Sequence, residues 1–176
     1  EEMTMGEKSK QIALCGMLCA LAIVIMILGV IIPYGTYVFS MLAGMSMIPV
    51  CYEYGSKQGV LLWIAISLLS LILVADKEMA LMFTFLLGWY PIAKPYLDKL
   101  RNPLKWIVRL AICNIAVILV TLILKYVLGI TDEVGGTILL IITLILGNVT
   151  FIMYDMTLVI LNKIYVFRLR KRLFKR

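Results

Sequence analysis

The 176 residues are 63% apolar and only 15% charged, with a formal net charge of +7 and no histidine. A soluble domain is about half apolar and about a quarter charged. A water-soluble globule is therefore excluded for most of the chain, because only hydrocarbon can surround helices that are apolar on every face.

A spanning helix needs about 20 apolar residues to cross about 30 Å of hydrocarbon at 1.5 Å per residue. Six stretches meet or approach that length: Ile12–Ile32, Thr36–Tyr52, Gln58–Val74, Met79–Ala93, Trp106–Leu128 and Thr137–Ile164. The expected fold is all-α, a polytopic membrane protein with about six transmembrane helices in one bundle. Residues 1–176 then form a single transmembrane domain, with a basic cytoplasmic tail at 165–176.

The first stretch follows Lys8 and Lys10. Its apolar run exceeds the core of a signal peptide, and no small-x-small cleavage site follows, so it is read as a spanning helix. Ala13, Gly16 and Ala20 lie on one face of it, alongside Cys15 and Cys19, and let another helix approach closely. Cys15 and Cys19 share that side of the helix, but without histidine or further nearby cysteine they do not complete a tetrahedral zinc site. They are expected as small packing residues, and no metal or other cofactor is implied.

The second and fourth stretches are short, and each carries a proline near its cytoplasmic end, Pro49 and Pro91. Neighbouring helices can satisfy the backbone that a proline frees, so both are expected inside the bundle. The connections are short and marked by Pro33-Tyr34-Gly35, by Glu53 to Lys57 around Gly55, by Asp76-Lys77-Glu78, by Lys94 to Lys105, and by Gly129 to Gly136. They leave no room for a soluble catalytic domain. Trp89-Tyr90-Pro91, followed by Lys94-Pro95-Tyr96, is expected to anchor a helix end in the inner headgroup region. Docking of a partner is the sharper alternative for this segment.

Orientation follows from the cations, which resist translocation and favour the anionic inner leaflet. With six spans and the N-terminus inside, only Lys77 and Lys125 of the 17 Lys and Arg residues fall outside. Both termini are thus expected in the cytoplasm and the protein in the cell membrane. The run from Arg168 to Arg176 abuts the last helix, so its expected partner is the anionic inner leaflet and not nucleic acid.

Ionisable groups inside a bilayer are costly unless paired. Asp155 lies near the inner edge of the last span, at a depth similar to Arg109 and Lys94, and an intramembrane ion pair of Asp155 with one of these cations is expected. Proton or substrate chemistry is the alternative. Asn114 and Asn148 lie deeper and are expected to bond across helices. Asn148 can alternatively line an outward cavity whose mouth is ringed by Tyr34, Tyr37, Asp76, Glu78, Lys125 and Tyr126. Belt tyrosines and solvated loop carboxylates are the plainer reading of that ring.

Catalysis has no visible basis. The lack of histidine excludes Ser-His and Cys-His pairs. No carboxylates recur at a spacing that holds a metal pair, and no glycine-rich phosphate cradle is present. The chain is expected not to be an enzyme.

The first helix is entered from Lys8-Ser9-Lys10-Gln11-Ile12-Ala13-Leu14, and a helix junction reads Tyr54-Gly55-Ser56-Lys57-Gln58-Gly59. With six expected helices in under 200 residues, the layout resembles the S components, the substrate-binding membrane subunits of energy-coupling factor transporters. The resemblance implies capture of a small solute of vitamin type from outside, energised by a separate coupling subunit and paired ATPases. It also implies that Ala13, Gly16 and Ala20 contact the coupling subunit. Without histidine, nickel and cobalt are not the expected substrates. The rival expectation is a non-transporting assembly or regulatory partner.

Overall fold

The computed structural model describes residues 5–32, 35–99, 101–127, 129 and 136–169. Among them there is no strand, and four helical segments are long and apolar enough to cross a membrane: Ser9–Ile31, Ile48–Leu73, Pro103–Tyr126 and Ile141–Phe167. The protein is all-helical in these residues, and its composition and helix lengths are compatible with a place in a membrane. The chain forms two compact units, Glu1–Lys94 and Pro95–Arg176.

In the first unit α1 (Met5–Ile31) packs on α2 (Thr36–Met45) and α3 (Ile48–Leu73). The buried side of α1 carries Leu18, Ala22, Met26 and Gly29, spaced by three and four residues as one helical face requires. These side chains join Ala43, Met47, Val50, Ile66, Met79 and Phe83 in a continuous apolar core. Gly29 makes the α1–α2 contact possible. A Cβ added there would stand 2.5 Å from Cβ of Phe39 and 2.8 Å from Cε of Met79.

Two of the expected spans are shorter or broken. The second was expected over Thr36–Tyr52, but α2 stops at Met45. Ser46 closes it by donating its hydroxyl to the Ala43 carbonyl at 2.7 Å, and the amide of Met47 bonds the Gly44 carbonyl at 3.2 Å. Ten residues reach only about 15 Å, half the hydrocarbon thickness, and residues 48–54 continue the stretch up to the break at Gly55. Pro49 is then the second residue of α3, where its missing N–H costs nothing, and not a disruption near the end of a span. The connection expected at Glu53 to Lys57 is a break at Gly55, whose φ of 81° and ψ of 176° divide Ile48–Leu73 into two helical pieces; Cys51 Sγ lies 2.7 Å from a Cβ added to Gly59, eight residues further on, so the chain turns back there. That φ is open to glycine and strained for other residues.

The fourth span, expected over Met79–Ala93, is divided. It begins as α4 (Lys77–Met82), widens into a π-helical turn at Phe83–Leu87, and resumes as α5 (Tyr90–Leu97). The Gly88 amide reaches the Phe83 carbonyl at 2.7 Å, a five-residue closure. Trp63 of α3 donates its indole N–H to the Thr84 carbonyl within this turn at 3.2 Å. Pro91 is the second residue of α5, again in a first turn where no amide donor is needed.

In the second unit α6 (Asn102–Tyr126) packs on α7 (Gly136–Ile164), which ends in a further π-helical turn at Tyr165–Leu169. Pro103 sits in the first turn of α6, after an extended Arg101 with φ −60° and ψ 143°. The buried stripe of α6 is Cys113, Ala116, Val117 and Val120, and that of α7 is Phe151, Tyr154, Asp155 and Leu158. Both repeat at helical spacing.

Candidate functional site

In the first unit the side chains of Tyr37, Asp76 and Glu78 meet where the N-termini of α2 and α4 come together. Tyr37 donates its phenol to a Glu78 carboxylate oxygen at 2.5 Å. Thr36, which sequence reasoning passed over, donates its hydroxyl to Asp76 at 2.9 Å. The other Asp76 oxygen accepts the Met79 amide at 3.1 Å and so caps α4. Lys77 points the other way and donates to the Leu71 and Val74 carbonyls at 2.8 and 3.0 Å, satisfying the end of α3. The candidate ligand carboxylates thus fasten the starts of α2 and α4, while Lys77 closes the end of α3. Replacing Asp76 with alanine is expected to cost about 1 kcal/mol as a lost cap, measured as a lower midpoint in detergent-denaturant titration.

The remaining residues of that candidate ring are placed differently. Tyr34 lies outside the described residues. Lys125 and Tyr126 are exposed in the last turn of α6, with the ammonium 5.6 Å from the Tyr126 ring. Asn148 donates to Oδ1 of Asn114 at 2.8 Å and to the Leu144 carbonyl at 2.9 Å, so it bridges α6 and α7. Its own Oδ1 is buried without a partner. Cys113, beside Asn114, faces the Gly147 carbonyl at 3.8 Å.

Arg109 carries the second cluster. Its guanidinium is buried and donates to Asp155 at 2.9 Å and to Asp98, with side-chain exposures of 3%, 5% and 48% for Arg109, Asp155 and Asp98. Two carboxylates on separate nitrogens hold the fork from both sides, the arrangement that a planar guanidinium suits better than an ammonium. Trp106, one turn earlier, lies with its ring 5.4 Å from the guanidinium carbon. The ion pair expected for Asp155 is made with Arg109. Lys94 ends the first unit, is itself buried at 4% exposure, and has its ammonium 5.8 Å from the Tyr90 ring.

Asp98 was missed from sequence. Its signal was its isolation as the one acid between Lys94 and Lys105. The aromatic stretch expected as an interfacial anchor is mostly interior: Tyr90 and Pro91 are buried, while Tyr96 is 58% exposed. On α1, Ala13, Gly16 and Ala20 are all exposed, and a Cβ added to Gly16 would meet nothing within 4 Å. Among the described residues no group of three or more His, Cys, Asp and Glu side chains is gathered to hold a metal ion.

Comparison with known proteins adds no name to this geometry. No family model, no curated protein and no solved structure matches the chain.

Proposed function

We propose that this is a multi-pass protein of the cell membrane, with both termini in the cytoplasm, that captures a small solute for uptake and draws its energy from separate coupling and ATPase subunits. The observation that carries this reading is the outward face of α1. Ala13, Gly16 and Ala20 stand exposed on a helix whose opposite side is packed into the core. A face of small residues lets a second helix approach to backbone distance, which in lipid is a main source of helix association. The residues implied by the resemblance as the coupling contact are among those that α1 leaves exposed. The cation distribution supports the orientation, since 15 of the 17 Lys and Arg residues fall inside when all six expected stretches cross.

In this reading the chain performs no chemistry of its own. The Tyr37–Glu78 and Thr36–Asp76 bonds tie the α2 and α4 ends, and a solute entering there competes for the same hydroxyl and carboxylate groups. Affinity purification from native membrane tests the proposal. ATPases and a transmembrane coupling subunit are expected with the wild-type chain. The Gly16→Leu variant, whose new side chain meets no internal neighbour, is expected to lose them by about tenfold or more while keeping its thermal midpoint. Recovery of a different complex, unaffected by that substitution, identifies instead an assembly or regulatory partner.

A further inference from the structure

The geometry points to a binding site for an anionic phospholipid headgroup at the end of the second unit where α6 begins and α7 finishes. These two ends coincide because Arg109, early in α6, meets Asp155, in the second half of α7, so the helices run antiparallel. The inference rests on the membrane placement proposed above and is independent of solute capture.

The charge at this end is not balanced. Its two described carboxylates, Asp98 and Asp155, both bond to Arg109. Lys99 and Arg101 in the connector and Lys163 at the end of α7 are exposed, and Lys105 in the first turn of α6 is half-buried. None of these four cations has a carboxylate partner among the described residues. Arg109 therefore absorbs the local acids and leaves the outer cations to an anion supplied from elsewhere.

The surroundings suit a lipid better than a soluble anion. Tyr96 and Trp106 are 58% and 39% exposed, and Lys99 lies 5.6 Å from the Tyr96 ring. Exposed aromatic rings beside cations are the side chains that settle at headgroup depth. Directly after Trp106, Ile107 is 64% exposed and begins the apolar outer surface of α6. A phosphodiester held by Lys99, Arg101 and Lys105 would leave its acyl chains to run along that surface. The opposite end of α6 offers only Lys125, about 30 Å beyond Lys105 along the helix.

Native mass spectrometry of the full chain in mixed micelles tests the site, with phosphatidylglycerol and phosphatidylcholine as probes. The wild-type protein is expected to retain phosphatidylglycerol preferentially. Each cation near a membrane surface contributes about fivefold, so Lys99→Gln/Arg101→Gln/Lys105→Gln is expected to lose about a hundredfold in retention with the basic tail intact. Lys125→Gln is expected to retain lipid like wild type, and Lys99→Arg/Lys105→Arg to keep the site while separating charge from folding. Equal retention of both lipids, unchanged retention by the triple variant, or displacement by inorganic phosphate alone would overturn the inference. Subunit co-purification unaltered by the triple variant distinguishes failure here from failure of the solute-capture reading.

Discussion

Arg109→Met is expected to be among the most damaging single substitutions in this chain, lowering stability by about 3 to 5 kcal/mol. The reason is the asymmetry between its two partners. Asp155 is 5% exposed, too little for solvent to replace the guanidinium, whereas Asp98 is 48% exposed and is rehydrated when the arginine is removed. A buried carboxylate that loses its countercharge costs several kcal/mol, but an exposed pair contributes about 0 to 1 kcal/mol. Denaturant titration of the purified protein in detergent is the measurement. Asp98→Asn should therefore lose little, and Asp155→Asn should lower stability while sparing transport. Arg109→Met/Asp155→Leu should recover much of the loss, because it removes the stranded charge. Intact stability with lost transport in Asp155→Asn would instead assign that carboxylate a functional role.

The second large effect is expected at Gly29. In an open helix position, glycine to alanine gains about 1 kcal/mol of helix propensity, and Gly16 is such a position, with nothing within 4 Å of an added Cβ. At Gly29 the same methyl would stand 2.5 and 2.7 Å from Cβ and Cγ of Phe39. Those atoms are fixed to the α2 backbone, so relief requires α1 and α2 to separate. Overpacking of this kind costs about 1 to 3 kcal/mol and outweighs the propensity gain. Gly29→Ala should thus lower the thermal midpoint, and Gly16→Ala should hold or raise it. Opposite signs for one chemical change would locate the close helix contact at Gly29.

The features legible in sequence were those that the bilayer makes expensive. Asp155 within an apolar run demanded a cation, and residue counting placed Arg109 at a matching depth, where the structure brings the two together. The Asn114–Asn148 bridge follows from the same cost of an unpaired polar group in hydrocarbon. Asp98 gave no such signal, because water tolerates an acid in a connector whatever it faces. The end of α2 was hidden for a different reason. Residues 45–50 are apolar but for Ser46, a single hydroxyl that a spanning helix tolerates, and Pro49 reads as readily for the end of one helix as for the start of the next. Gly55 was legible as punctuation, and one glycine conformation makes the break expected between Glu53 and Lys57.

The π-helical turn at Phe83–Leu87 left no compositional mark at all, since its residues would serve equally in a regular helix. It nevertheless fixes which groups downstream look inward. A widened turn accommodates one surplus residue, and each residue in a regular helix advances the side-chain direction by about 100°. Tyr90 and Lys94, at 0% and 4% exposure, owe their inward aim to that surplus. Had this segment been wound uniformly, the phenol and the ammonium would be turned by more than a quarter of a revolution. The irregular winding thus shifts the angular phase of α5, and with it which of its side chains are buried.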